Sequence, residues 1–304
     1  MSVLLERASR PVESAADRGA GQPAPGASMR KQSLQARIVS YLILALGSVA
    51  FLFPLAWLIS TSLKSADQVL VFPIRWIPDP VKWSNYVDIF EVAPFGRYLL
   101  NTVVITVFGV LGSLIGSSIA AYAFARLRFR GREVCFMIML ATMMVPSWAT
   151  LIPSYMMFAR VGWLDTFLPI LVPAFFAAPF NTFLLRQFFL SVPRELDEAA
   201  RIDGASTFRT FLFVALPIAR PALIIVALFS FLTYWNEFLT PLIYLQSDEL
   251  YPLSLGVANF IGLQNQDFAL AMTGAAIAIA PCLILFFIAQ RWFIQGVVIT
   301  GVKG

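Results

Sequence analysis

Residues 191–223 read SVPRELDEAARIDGASTFRTFLFVALPIARPAL. Ser191 and Pro193 are start signals for a short helix, and Gly204 is a stop signal. Glu195, Asp197 and Glu198 fall in the early part of that helix, where the macrodipole favours negative charge. Leu196, Ala199, Ala200 and Asp203 follow the 3–4 spacing of one face, and the two alanines let a partner approach closely. A second short helix is expected from Ser206 to Pro217. The stretch therefore reads as a polar helix-turn-helix elbow. Taken alone, it is equally an interfacial amphipathic hairpin that joins its neighbours and nothing more.

The flanking sequence is apolar on a membrane scale. A bilayer core needs roughly 20 apolar residues per helix, and six stretches qualify: 38–61, 102–125, 134–157, 166–185, 221–245 and 269–289. Pro146 and Pro153 break the third, Pro173 and Pro179 interrupt the fourth, and Pro281 lies in the sixth. The short connection at 160–165 predicts a tight helical hairpin between the third and fourth. With the N-terminus inside, 17 of the 22 Lys and Arg fall in inside segments and 5 outside. That asymmetry is what the positive-inside rule requires. It places both termini and the elbow in the cytoplasm. Residues 1–30 are rich in Ala, Gly, Pro, Ser and Arg without an apolar run. They read as a disordered cytoplasmic tail, not a secretory signal.

Composition agrees. Hydrophobic residues make up 59% and charged residues 13%, against about 45–50% and 25% in soluble domains. Mean hydropathy is +0.78. So few charges cannot cover a water-exposed surface. The expected fold class is all-α: a polytopic membrane protein of six transmembrane helices with a cytoplasmic helix-turn-helix loop. The chain contains no His, which removes Ser-His-Asp catalysis, HExxH zinc sites and imidazole relays. Cys135 and Cys282 lie in apolar runs and imply neither a disulfide framework nor a four-ligand metal site. No catalytic or metal-binding residue is expected. The net charge of +5 is spread over loop arginines, so nucleic acid is not an expected partner.

The elbow also carries a motif. Glu198-Ala199-Ala200, then Gly204, then Val214-x-Leu216-Pro217 resembles the EAA motif of ABC-importer permeases at every fixed position. PFGRYLLNT (94–102), LIPSYMMFARVGWLDT (151–166), FLLRQFFLSVPRELDEAARIDGAS (183–206), WNEF (235–238) and GVKG (301–304) are similar to the carbohydrate-uptake branch, most of all its maltose-permease second-subunit type. The chain departs from that pattern at IQGVVITGVKG (294–304), where the family more often has a Thr-Ala-Gly run before Val-Lys-Gly. The resemblance implies a six-span permease domain over 31–304, with 191–217 as its coupling loop. It implies that Glu198, Ala199, Ala200, Asp203, Gly204, Leu216 and Pro217 couple to a separate ATPase dimer. No GxxxxGK[ST] occurs in the chain, so ATP and Mg are expected on that partner and no cofactor here. Further implied partners are a second permease subunit, a different chain in this branch, and an extracytoplasmic solute-binding protein. The implied location is the bacterial inner membrane, in contact with lipid.

Polar residues inside spans mark a candidate pathway, because they are costly unless they face a cavity or a partner. Ser230, Thr233, Tyr234 and Glu237 fall on one helical face in the fifth span, flanked by Asn236 and Thr240. Tyr234 and Trp235 offer stacking surfaces for a sugar, and Glu237 is the only acid within any span. One carboxylate there favours a neutral polyol over an anion. Tyr155 in the third span and Asn181 in the fourth are further candidates. Structural roles compete at each: pairing with another subunit for Glu237, and packing against a second permease for Tyr155. Outside the permease class, a self-contained secondary transporter or channel is the alternative, although it calls for an ion relay that Glu237 alone would have to supply. A membrane-embedded enzyme needs a nucleophile–base pair that the spans lack.

Overall fold

The computed structural model describes residues 34–261 and 267–300, with side chains for 37–261 and 267–290. The 1–30 tail, the terminal 301–304 stretch and part of the 246–268 loop fall outside these. All regular structure among the described residues is helical. Helices among the described residues include α1 (Leu34–Ser62), α2 (Asn85–Val92), α3 (Phe95–Arg126), α4 (Arg132–Ala141), α5 (Ser147–Arg160), α6 (Pro179–Ser191), α7 (Glu195–Ile202), α8 (Thr207–Thr210), α9 (Arg220–Trp235), α10 (Leu239–Tyr244), α11 (Leu253–Ile261) and α12 (Phe268–Thr300), with shorter helical turns between them. Among the described residues, those up to 52 and those from 53 onward fall into separate compact units. In the first, α1 exposes its apolar side chains, Leu46 and Phe51 among them.

Four segments are long and apolar enough to cross a membrane: Arg37–Ser62, Phe95–Arg126, Leu168–Ser191 and Phe268–Gln290. Two bent pairs raise the number to as many as six if each is one span. Arg132–Met144 and Ser147–Arg160 meet at 100°, so the expected third span is broken. The cause is local: Val145 is extended and Pro146 caps the next helix, because a residue before proline is pushed out of the helical region. Pro153, by contrast, is accommodated within α5. In the expected fourth span, Pro179 opens α6 after a residue that is likewise extended, a first-turn position proline tolerates well.

The second unit is built around α3, which packs along α6 and α9. Its buried face carries Ile105, Gly109, Gly112, Ser113, Ser117, Ala121 and Ala125, a stripe of mostly small residues that lets helix backbones approach closely in lipid. A Cβ on Gly116 would overlap the Phe175 carbonyl, and one on Gly109 would sit 2.5 Å from the Tyr234 ring. One apolar cluster joins the C-terminal end of α3 (Tyr122, Ala125) to Phe189, Phe211, Ala219 and Val226. Another joins its N-terminal end (Phe95, Tyr98) to Trp235, Leu253, Phe260 and Leu270.

At this second end, polar groups lock the loops. Asn101 donates to the Glu249 and Tyr251 carbonyls, and the Tyr98 hydroxyl lies 2.7 Å from Asp248. Asp165, at φ 56, accepts from the backbone N–H groups of Gln246 and Ser247 and from the Ser247 hydroxyl.

Candidate functional site

The elbow forms as a pair of helices at the end of α3 opposite this loop lock. Its helix α7 begins at Glu195, not near Ser191: Ser191 closes α6 and donates to the Phe188 carbonyl. Glu195, Asp197 and Glu198 fill the first turn, as the macrodipole favours. The helix ends in a Schellman arrangement. The Ala205 N–H reaches the Ala200 carbonyl at 2.9 Å, and the Gly204 N–H reaches the Arg201 carbonyl at 3.0 Å. Gly204 sits at φ +79 with open space where a Cβ would project. The glycine is thus required by its backbone conformation alone. Ser206 then caps α8, its hydroxyl accepting the Arg209 N–H.

Beyond α8 the chain continues through a π-helical turn, Phe211–Ala215, and a last turn, Leu216–Ile218. It then swings by 80° into α9. Fully buried Ala219 stands at this corner, and Leu216 packs against the cluster around it. Of the residues singled out on α7, Ala200 is buried, whereas Leu196, Glu198, Ala199, Asp203 and Gly204 are exposed. Ile202, Phe208 and Phe213 are 87%, 64% and 74% exposed, so apolar side chains stand out among charges on this surface. Sequence reasoning missed these three, although their bulk within a polar stretch is a readable signal.

One ion pair ties the elbow to the bundle. Arg126, the last residue of α3, meets Asp197 at 3.3 Å, with only 6% and 14% of the two side chains exposed. The same guanidinium donates to the Val192 carbonyl at 2.7 Å.

The candidate pathway residues separate into two groups. Asn181, Ser230, Thr233 and Tyr234 line one cavity of about 360 Å³, with Ser113, Phe180 and Phe229 also in its wall. Asn181 donates to the Ser230 hydroxyl at 3.3 Å. The cavity lies at the level of Ser113, near the middle of α3, and carries hydroxyls, an amide and aromatic rings but no charge.

The other candidates lie elsewhere because α9 stops at Trp235. Glu237 is therefore not on the helical face of Ser230, Thr233 and Tyr234. Its carboxylate accepts the Thr240 N–H at 3.0 Å and the Thr240 hydroxyl at 2.9 Å, fixing the first turn of α10. Asn236 folds back on the Leu232 carbonyl. Trp235, expected as a stacking surface, is buried against Phe231, its indole N–H donating to the Ala278 carbonyl at 2.9 Å. Tyr155 stacks on Tyr244 at 6.2 Å and is not among the cavity's lining residues.

Membrane-length helices, an open uncharged cavity level with the middle of α3 and a charged elbow at one end are features of a membrane transport subunit of the permease class. The family model for the binding-protein-dependent transport system inner membrane component matches residues 112–299, and the chain belongs to that family. It is 33% identical over 257 residues to the diacetylchitobiose uptake system permease protein NgcG of Streptomyces coelicolor, covering 83% of this chain and 84% of that one. The maltodextrin transport system permease protein MdxG of Bacillus subtilis is 33% identical over 274 residues, with 88% and 96% covered. Among solved structures, a bacterial ABC transporter involved in import of the acidic polysaccharide alginate aligns with a TM-score of 0.75 and 30% identity, covering 84% and 96%.

Proposed function

We propose that this chain is a permease subunit of an ABC importer for neutral oligosaccharides or related polyols in the bacterial inner membrane. Its elbow takes up work from ATP hydrolysed on a separate subunit dimer. The observation that carries the substrate reading is the uncharged wall of the open cavity beside Ser113. Phe180 and Phe229 offer apolar ring surface, while Asn181, Ser230, Thr233 and Tyr234 offer hydrogen-bond groups, the combination that suits a neutral polyol. Glu237 does not set this preference, since its carboxylate is committed to Thr240. The relatives that transport diacetylchitobiose and maltodextrin support a carbohydrate.

In this reading Glu198, Ala199, Asp203 and Gly204 meet the ATPase, and Ala200 seats α7 on the bundle. Leu216 and Pro217 carry the motion into α9. Both termini lie in the cytoplasm, 31–304 is the permease domain, and 1–30 is its tail. A second permease chain completes the pathway, and a solute-binding protein delivers substrate to the opposite face. Tyr155, Trp235, Asn236 and Glu237 support the pathway wall without lining this cavity.

The test is a binding screen of the cognate solute-binding protein against neutral oligosaccharides and their uronic-acid counterparts, followed by uptake with Asn181→Ala. Preference for neutral sugars and impaired uptake are expected. Preference for acidic sugars, or full uptake by Asn181→Ala, contradicts the reading.

A further inference from the structure

The turn between α3 and α4 reads Leu127-Arg128-Phe129-Arg130-Gly131 and is followed by Arg132. Together with Arg194, at the start of α7, it shapes an open depression of about 770 Å³. Arg128, Arg130, Arg132 and Arg194 line it, with Glu133 the only acid in the wall. That acid is already committed. Arg132 donates to it at 2.7 Å and Arg186 meets it at 3.1 Å. The side chains of Arg128, Arg130 and Arg194 make no ion pair or hydrogen bond among the described residues. Four arginines are thus gathered around an empty volume, outnumbering the acids at its edge: Glu133 is held by Arg132 and Arg186, Asp197 by Arg126, and Glu198 lies in the adjoining cavity. An arrangement of this kind is favourable only when an anion neutralises it.

The position of the depression says which anion. It lies where the chain leaves one apolar membrane-length helix, Phe95–Arg126, and enters another apolar segment, Arg132–Met144. This is the level of the lipid headgroups. Phe129 and Val134, 45% and 56% exposed, border the same depression, so apolar surface adjoins the guanidinium groups. Planar guanidinium forks match phosphate oxygens in pairs, and acyl chains cover exposed apolar side chains beside them. An acidic protein surface would answer the arginines but would leave Phe129 and Val134 against water or polar atoms.

We propose that Arg128, Arg130, Arg132 and Arg194 form a binding site for the phosphate of an anionic phospholipid. The site rests on the membrane assignment and is independent of the coupling role of the elbow. A second cavity of about 420 Å³, sharing Arg128 and Arg194, continues to Asp197, Glu198 and Arg201. If the coupling reading also holds, headgroup occupancy borders the surface that meets the ATPase.

The experiment is native mass spectrometry of the full-length chain, titrated in detergent with phosphatidylglycerol, phosphatidylcholine or inorganic phosphate. The triple variant Arg128→Gln/Arg130→Gln/Arg194→Gln is compared with wild type and with Arg75→Gln, a basic residue of another loop. Thermal unfolding confirms that each variant is folded. Wild type and Arg75→Gln are expected to retain phosphatidylglycerol over phosphatidylcholine, and the triple variant to lose that preference by about tenfold or more. Unchanged retention in a folded triple variant overturns the proposal. Complete displacement of phosphatidylglycerol by inorganic phosphate overturns it in favour of a free-anion site. Unchanged lipid retention with lost association of the ATPase subunit assigns the arginines to a protein partner instead.

Discussion

Arg126 and Asp197 meet at 3.3 Å in a largely buried pair that fastens the elbow helix to the C-terminal end of α3. The Arg126 guanidinium also holds the Val192 carbonyl in the link before that helix. A push on the elbow therefore reaches α3 through this pair as well as through the apolar contact of Phe211 with Tyr122. Arg126→Ala leaves Asp197 buried without a counter-charge, a cost of about 3–5 kcal/mol for a buried pair. A lowered unfolding temperature and loss of ATP-driven uptake are expected. The double variant Arg126→Ala/Asp197→Ala, which removes both charges, should recover much of the stability but not the uptake. Thermal unfolding and an uptake assay on the same preparations check this.

Gly204 is held at φ +79 with nothing near its missing side chain. Gly204→Val therefore meets only a backbone penalty, about 1–2 kcal/mol, and this falls on the elbow rather than on the bundle. Association with the ATPase subunit should weaken by roughly fivefold to thirtyfold, with unfolding temperature nearly unchanged. Gly204→Asn, which adopts left-handed backbone more readily, should lie between. Co-purification of the two subunits at graded concentrations measures the effect.

The two glycines on α3 should behave differently. Gly109→Ala presses on the Tyr234 ring, and Gly116→Ala presses on the Phe175 backbone. Turning the ring does not relieve the first contact, because Tyr234 Cγ is among the atoms met at 2.5 Å, so the whole side chain must shift; at Gly116 the obstacle is backbone. Gly109→Ala should therefore change the KM for uptake by displacing a cavity residue, together with a loss of stability. Gly116→Ala should lower the unfolding temperature clearly. Uptake kinetics and thermal unfolding together separate the two.

Asp165 accepts a hydrogen bond from the Ser247 hydroxyl and two from backbone N–H groups of Ser247 and Gln246, which hold its carboxyl below the usual carboxylate range. The stabilisation is therefore complete above the unfolded value, about 4. It is lost as pH falls from there through the depressed folded value. Asp165→Asn keeps the left-handed backbone accessible but loses the charge. The variant should unfold at a lower temperature than wild type near pH 7, and the gap should close in acid. Thermal unfolding from about pH 7 to about pH 3 tests this.

What could be read from sequence was what is local. Gly204, Ser206 and the acidic first turn of α7 act within a few residues of themselves, so the elbow was legible almost to its boundaries. The membrane character was legible because hydropathy sums over each helix. The break after Trp235 was not, because Glu237 and Asn236 read equally as polar residues of a helical face and as caps. Only the Thr240 and Leu232 hydrogen bonds decide between these. The small-residue stripe on α3 was equally hidden, since its meaning lies in Tyr234 and Phe175, far along the chain. Arg126 counted as a topology charge, while its pairing with Asp197 depends on α6 returning the chain to the end of α3.

In the proposed function, this permease moves its substrate only when a separate ATPase acts on the elbow. The direct measurement is uptake of the identified oligosaccharide into proteoliposomes that hold the chain, its second permease and its ATPase, with solute-binding protein outside and ATP inside. Uptake should require ATP, the ATPase subunit and the binding protein together, and should fall with Gly204→Val. Uptake that proceeds without ATP or without the ATPase subunit would contradict the claim and return the chain to the class of self-contained transporters.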